Sequence, residues 1–164
     1  MASGNTLNTW SAQANQPPAS NFATLDLRNS ISVLDFDAST AEAAVFLGVL
    51  PRHYAGGGLT VTIIWAASSA TSGNCKWNAE IERIADGGHD IDADSFASAQ
   101  TATEATNGTS GIATYTTIAF TSGAQMDSLA AGEAFRLRVT RDAADGGDTM
   151  TGDAELLAVE IKET

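Results

Sequence analysis

An all-β fold is what this sequence predicts: an antiparallel β-sandwich, most specifically a jelly roll, carrying an extended N-terminal arm. Three observations lead there. Short stretches rich in Val, Ile, Thr and aromatic residues recur from Phe22 onward, each bounded by Gly, Asp, Ser or Asn. Two of them alternate cleanly: Leu59, Val61, Ile63 and Trp65 oppose Thr60 and Thr62, and Phe135, Leu137 and Val139 oppose Arg136, Arg138 and Thr140, as half-buried strands do. The 3.6-residue periodicity of a long amphipathic helix is missing throughout, which leaves sheet-on-sheet packing. A chain of 164 residues predicts a single domain, which at that size buries about 70% of its unfolded surface.

Taken in order, residues 1–21 are polar, carry Trp10, Pro17 and Pro18, and show neither period. They read either as a frayed terminus or as an arm that, extended, reaches roughly 65–70 Å, with Trp10, Pro17 and Pro18 as candidate contacts to a neighbour. The sandwich domain then occupies 22–164. Its expected strands are FATLDLR (22–28), SVLDFD (32–37), AVFLGVLP (44–51), LTVTIIWAA (59–67), CKWNAEIERI (75–84), ATYTTIAFT (113–121), EAFRLRVTR (133–141) and AELLAVEIK (154–162). One short helical turn is expected in GAQMDSLAAGE (123–133), with Met126, Leu129 and Ala130 apolar and Gly132 ending it. Residues 86–111 lack a strand pattern, and so long an excursion predicts a functional segment or one that lies on a partner.

Charge and cysteine content exclude some classes. Eight basic against twenty acidic side chains give a net charge of −12, which argues against nucleic acid and anionic membranes as partners, because both require Lys and Arg to neutralise phosphate. An acidic excess fits solubility at high local concentration. Cys75 is the single cysteine, so neither an intrachain disulfide nor a cysteine zinc cluster can form. The N-terminal residues lack the basic and apolar runs of a secretion signal, so synthesis in the cytoplasm is expected. On that reading the NGT at Asn107 is a chance match to a glycosylation acceptor.

Candidate chemistry is sparse. Asp86, Asp90, Asp92 and Asp94 alternate through DGGHDIDAD and offer oxygen ligands to calcium. The EF-hand pattern is not met, since Ser95 and Thr101 stand where its glycine and glutamate belong; the competing reading is turn aspartates bonded to their own backbone. The closing stretch RDAADGGDTMTGD invites the same question. Its aspartates fit a hairpin tip, and some are expected to pair with Arg136, Arg138 and Arg141, across the hairpin or across a subunit boundary. Cys75, His53 and His89 are the residues a nucleophilic mechanism would need, yet no signature surrounds them. The glycines of YAGGGLT lack the Lys-Ser/Thr of a phosphate loop. Trp65 and Trp77 form either a sugar-stacking platform or, as the apolar face of the Trp65 strand suggests, core packing.

The C-terminal third, AAGEAFRLRVTRDAADGGDTMTGDAELLAVEIKE (130–163), together with TLDLRNSISVLDFD and GVLPRHYAGGGLTVTIIWAA, resembles jelly-roll structural proteins of tailed bacteriophages. That resemblance spans most of 22–163 and brings structural motifs with no catalytic residues to transfer. It implies a non-enzymatic virion protein on the capsid exterior, a decoration or cement protein with the major capsid protein and its own copies as partners, as a homotrimer and without a cofactor. The rival expectation is a tail-fibre or receptor-binding module in which Trp77, His53 and residues 86–111 touch a host glycan.

Overall fold

The computed structural model describes residues 4–164, and ten strands dominate it. They are β1 (Thr6–Ser11), β2 (Thr24–Arg28), β3 (Ile31–Phe36), β4 (Glu42–Val49), β5 (Leu59–Ala67), β6 (Asn74–Ile84), β7 (Gln100–Ala105), β8 (Thr114–Phe120), β9 (Ala134–Arg141) and β10 (Ala154–Glu163). One sheet, here sheet A, runs β2-β3-β10-β5-β8 with β1 also on β10; sheet B runs β4-β9-β6-β7. With β3 to β10 as the eight strands of a jelly roll, these are its two interleaved four-stranded sheets, every pairing antiparallel. The predicted fold class is the observed one.

Alternation builds the core as expected. Val61, Ile63 and Trp65 from β5 and Leu156, Val159 and Ile161 from β10 face Trp77, Ala79 and Ile81 from β6 and Phe135, Leu137 and Val139 from β9, all buried. Trp65 and Trp77 lie 5.8 Å apart by ring centroid, and Phe36 meets Trp77 edge-on at 5.1 Å, geometry in which aromatic pairs contribute beyond their buried area. Both tryptophans are fully buried, so the core packing suggested by the apolar face of the Trp65 strand is observed and neither ring is available as a sugar platform.

The N-terminal segment is the main departure. Residues 1–21 are not an arm reaching outward over the described part: β1 pairs with β10, and the chain then runs along the free edge of β4. There Gln16 N donates to Val45 O at 2.8 Å, the Asn15 carboxamide accepts from Val45 N at 2.9 Å, and Ala43 N donates to Asn21 O at 2.8 Å. Covering an open sheet edge in this way blocks strand addition. The segment escaped period-two reading because the register shifts between Thr6 and Asn8, which turns both Leu7 and Trp10, three residues apart, toward the core. Trp10 is therefore a core residue and not an intersubunit contact: it packs 5.9 Å from Phe46 and from Phe135, and its indole N–H donates to Leu47 O at 2.9 Å. Gly48 makes room for it, since a Cβ there would lie 2.7 Å from the indole ring.

Two further differences are local. Residues 100–105 form edge strand β7, whose QTATEA offers only small and polar side chains to signal a strand. The predicted helical turn is a 3-10 turn at Ala124–Met126; Met126 and Leu129 are buried while Ala130 is exposed. Among the described residues no helix is long and apolar enough to cross a membrane.

Candidate functional site

The acidic closing turn is a structural device organised by one arginine. Arg141 ends β9 on the inward face, where period two places it, and is completely buried. Its Nε and Nη2 donate to the two Asp148 oxygens at 3.0 and 2.9 Å, Nη2 also to Met150 O at 2.8 Å, and Nη1 to Gly152 O at 2.8 Å and Phe36 O at 3.3 Å. Asp148 in turn accepts Lys76 N at 3.0 Å, and Asp145 pairs with the Lys76 ammonium at 2.6 Å. A forked guanidinium satisfies both a carboxylate and the carbonyls of an irregular turn, which a lysine could not. Arg141 is thus an internal clamp and not an interface residue.

Arg136 and Arg138 point the other way, onto the outer face of sheet B. Their partners are on β6 and not in the closing turn: Arg138 forks onto Glu80 at 2.5 and 2.6 Å, and Arg136 Nε reaches Glu82 at 2.6 Å. Cross-strand register sets these pairs, Glu80 opposite Arg138 and Glu82 opposite Arg136. The Phe96 ring rests on both guanidiniums, 4.3 Å from that of Arg138 and 5.0 Å from that of Arg136. Beside this ladder an open groove of about 430 Å³ has a mixed lining, with Asn78, Glu80, Arg138 and Thr140 among its polar residues and Pro18, Ala43 and Ala99 among its apolar ones.

The residues proposed for calcium do not converge. Asp90 accepts the Asp92 amide at 3.0 Å and Asp94 the Asp90 amide at 2.7 Å, so these carboxylates cap their own turn. Asp86 adds no third ligand: among the described residues no group of three or more His, Cys, Asp or Glu side chains is placed to hold a metal. His89 lies between Asp94 (3.1 Å) and Glu82 (3.4 Å), His53 is exposed in the loop before β5, and Cys75 is buried on β6. Burial pushes the Cys75 thiol far above its ordinary range, with Asp148 adding to the rise, so it rests as an inert thiol.

Sequence reasoning missed an apolar surface on the β2–β3 hairpin. Asn29 and Ser30, both at positive φ (48° and 66°), close a two-residue turn that pairs Arg28 with Ile31. Leu25 stands opposite core residue Leu34, but sheet B leaves this part of sheet A uncovered: Phe22, Leu25 and Leu27 are 45, 55 and 66% exposed. The adjoining groove, about 280 Å³, is lined by Ala12, Pro17, Phe22, Ala23, Leu25 and Leu34. Pro17, named from sequence as a contact, borders it, and Pro18 borders the larger groove on sheet B. The strand's outer edge is partly closed, because the Asp26 carboxylate accepts the Leu27 amide at 2.7 Å. The available surface is consequently the face and not the edge. The sequence shows only that Leu25 and Leu27 alternate with Thr24 and Asp26; that this face stays uncovered follows from the place of β2 at the edge of sheet A.

No protein-family model and no curated protein sequence matches the chain. In three dimensions it is similar to a family 35 carbohydrate-binding module from an environmental isolate, with a TM-score of 0.57, 11% identity, and 96% of this chain and 94% of that one covered. It is also similar to part of an exo-β-1,3-galactanase from Phanerochaete chrysosporium solved with galactose, with a TM-score of 0.51 and 11% identity, 97% of this chain covering 30% of that one. Likeness at that identity shows the β-sandwich fold alone.

Proposed function

We propose that this chain is a non-enzymatic structural protein of a tailed-bacteriophage particle, a jelly-roll subunit that decorates the head and stabilises it through contacts with the major capsid protein and with its own copies in a homotrimer. The observation that carries the reading is the hairpin surface of Phe22, Leu25 and Leu27 with its apolar groove. Contiguous exposed apolar residues on an otherwise acidic chain mark a protein-contact surface, and fully burying each such side chain stabilises a contact by about 1.5–3 kcal/mol. The phage assignment rests on the resemblance that spans most of 22–163; eight Lys and Arg against twenty acidic side chains argue only against nucleic acid as the partner. The test is copy number in purified particles, by quantitative mass spectrometry against the major capsid protein. A ratio near one supports head decoration; a few copies per particle, or none, overturns it. Leu25→Ser/Leu27→Ser should then fold normally and bind heads more weakly.

A second reading, a β-sandwich module that recognises a host glycan, is favoured by the groove of mixed lining on sheet B and by the carbohydrate-binding module among similar folds. Asn78, Glu80, Arg138 and Thr140 supply the donors and acceptors that sugar hydroxyls require. Binding on a glycan array that is lost in Asn78→Ala would support it; no binding at millimolar sugar would remove it.

A further inference from the structure

Residues 86–99 connect β6 to β7; His89 and Phe96 lay the segment against the outer face of sheet B before Ala97 joins the β6 edge, and what it covers is unusual for a buried contact. Beneath them lies the Glu80–Arg138 and Glu82–Arg136 ladder, already paired with itself, in place of apolar core. The crossing segment brings two large apolar side chains, Ile91, which is 79% exposed, and Phe96, which rests on the two guanidiniums. Its remaining anchors are the His89 ring between Asp94 and the buried Glu82 and, among the described residues, one backbone bond to the sheet, Ala97 N to Ile81 O at 2.9 Å. Lifting the segment would expose little apolar area and break few bonds, so its opening costs far less than unfolding.

Cavities flank the segment on both sides. One, of about 370 Å³, is lined by Arg83, His89, Asp94, Ser95 and Asp127; the other is the 430 Å³ groove that shares Arg138 with the Phe96 seat and Ala99 with the segment's end. Phe96 and His89 are thus the two pins of a bridge between two open spaces.

We propose that residues 86–99 form a strap, pinned by Phe96 on Arg136 and Arg138, whose release joins the two cavities into one continuous channel across sheet B. The strap acts as a lid on that face. It lies on the sheet away from the β2–β3 hairpin, so strap opening and hairpin contacts are separable.

Amide hydrogen exchange tests this on the whole protein. The Ala97 amide should exchange through a local opening, faster than core β6 amides such as Ile81. Phe96→Ala removes the half-buried ring from both guanidiniums and should speed Ala97 exchange at least about fivefold while leaving Tm and β6 exchange unchanged; Phe96→Tyr should retain the seat. Dicarbonyl labelling of Arg136 and Arg138 should rise in Phe96→Ala, with Arg52 as the internal reference. If Ala97 exchanges only together with the core, or Phe96→Ala lowers strap and core protection equally, the segment is an integral part of the sandwich and the strap is refuted.

Discussion

Replacing Arg141 with Met should be among the most damaging single changes available to this protein. The side chains of Arg141 and Asp148 are 0 and 1% exposed, so Arg141→Met leaves a buried carboxylate with no cation beside it, held only by the Lys76 amide and the weak Cys75 thiol donor, and strips donors from the carbonyls of Phe36, Met150 and Gly152. Breaking a buried ion pair from one side costs about 3–5 kcal/mol, and for a chain of this size each kcal/mol moves Tm by about 2–4 °C. Thermal unfolding followed by circular dichroism should therefore show a fall of roughly 6–20 °C. Arg141→Met/Asp148→Leu separates the two contributions: removing the stranded charge should recover part of the loss, and the unmatched carbonyls should keep the rest. Arg141→Met within about 1 kcal/mol of the parent would refute the clamp. Full recovery in the double variant would show that the carbonyl bonds contribute nothing.

Other outcomes follow from the same structure. Burial first, then the charges of Asp153 and Glu155, raises the Asp35 carboxyl from 3.8 to about 6. Between those values the native state binds more protons than the unfolded chain, so stability falls as pH rises through that window and the penalty persists above it. Asp35→Asn should match the parent near pH 4 and exceed it at pH 7.5 by about 1–2 kcal/mol, after discounting for partial solvent screening; urea melts that differ equally at both pH values would sink this. Trp10→Ala should cost about 3–5 kcal/mol, as a core cavity does and a surface arm residue does not, and an unchanged urea midpoint would return Trp10 to the surface. Gly73 has φ +92°, and a Cβ there would sit 2.6 Å from Thr149 O, so Gly73→Ala should destabilise the closing turn by about 1–3 kcal/mol. A Tm equal to the parent's would show that the turn can shift to accept a side chain.

Legibility followed local physics. Strand β5 was readable because Leu59, Val61, Ile63 and Trp65 alternate with Thr60 and Thr62 before an apolar run completes a nine-residue central strand, Leu59–Ala67. Strand β7 was not, because an edge strand of Thr, Ala and Glu buries too little to need large side chains. In β10 the register against β5 shifts between Leu156 and Ala158, so Leu157 leaves the core face and joins Ile31, Val33 and Ala66 around a small cavity outside sheet A. Period two fails where a bulge inserts a residue, and β1 was overlooked for the same reason. The aspartates of the closing turn were correctly read as turn residues, but their arginine partner depended on which face Arg141 occupies.

The sequence by itself determined the class of fold, the inward set on β5 and β9, the lack of an intrachain disulfide, and a net charge of −12, because those depend on alternation, composition and charge along the chain. Only the tertiary structure decided that Trp10 lies inside, that Arg141 clamps the closing turn while Arg136 and Arg138 meet β6, and that Leu25 and Leu27 remain uncovered. Each of these is set by what lies across the sandwich or across the strand register, between residues far apart in sequence. Local pattern carries the direction a side chain faces, whereas its partner is fixed only when the sheets close.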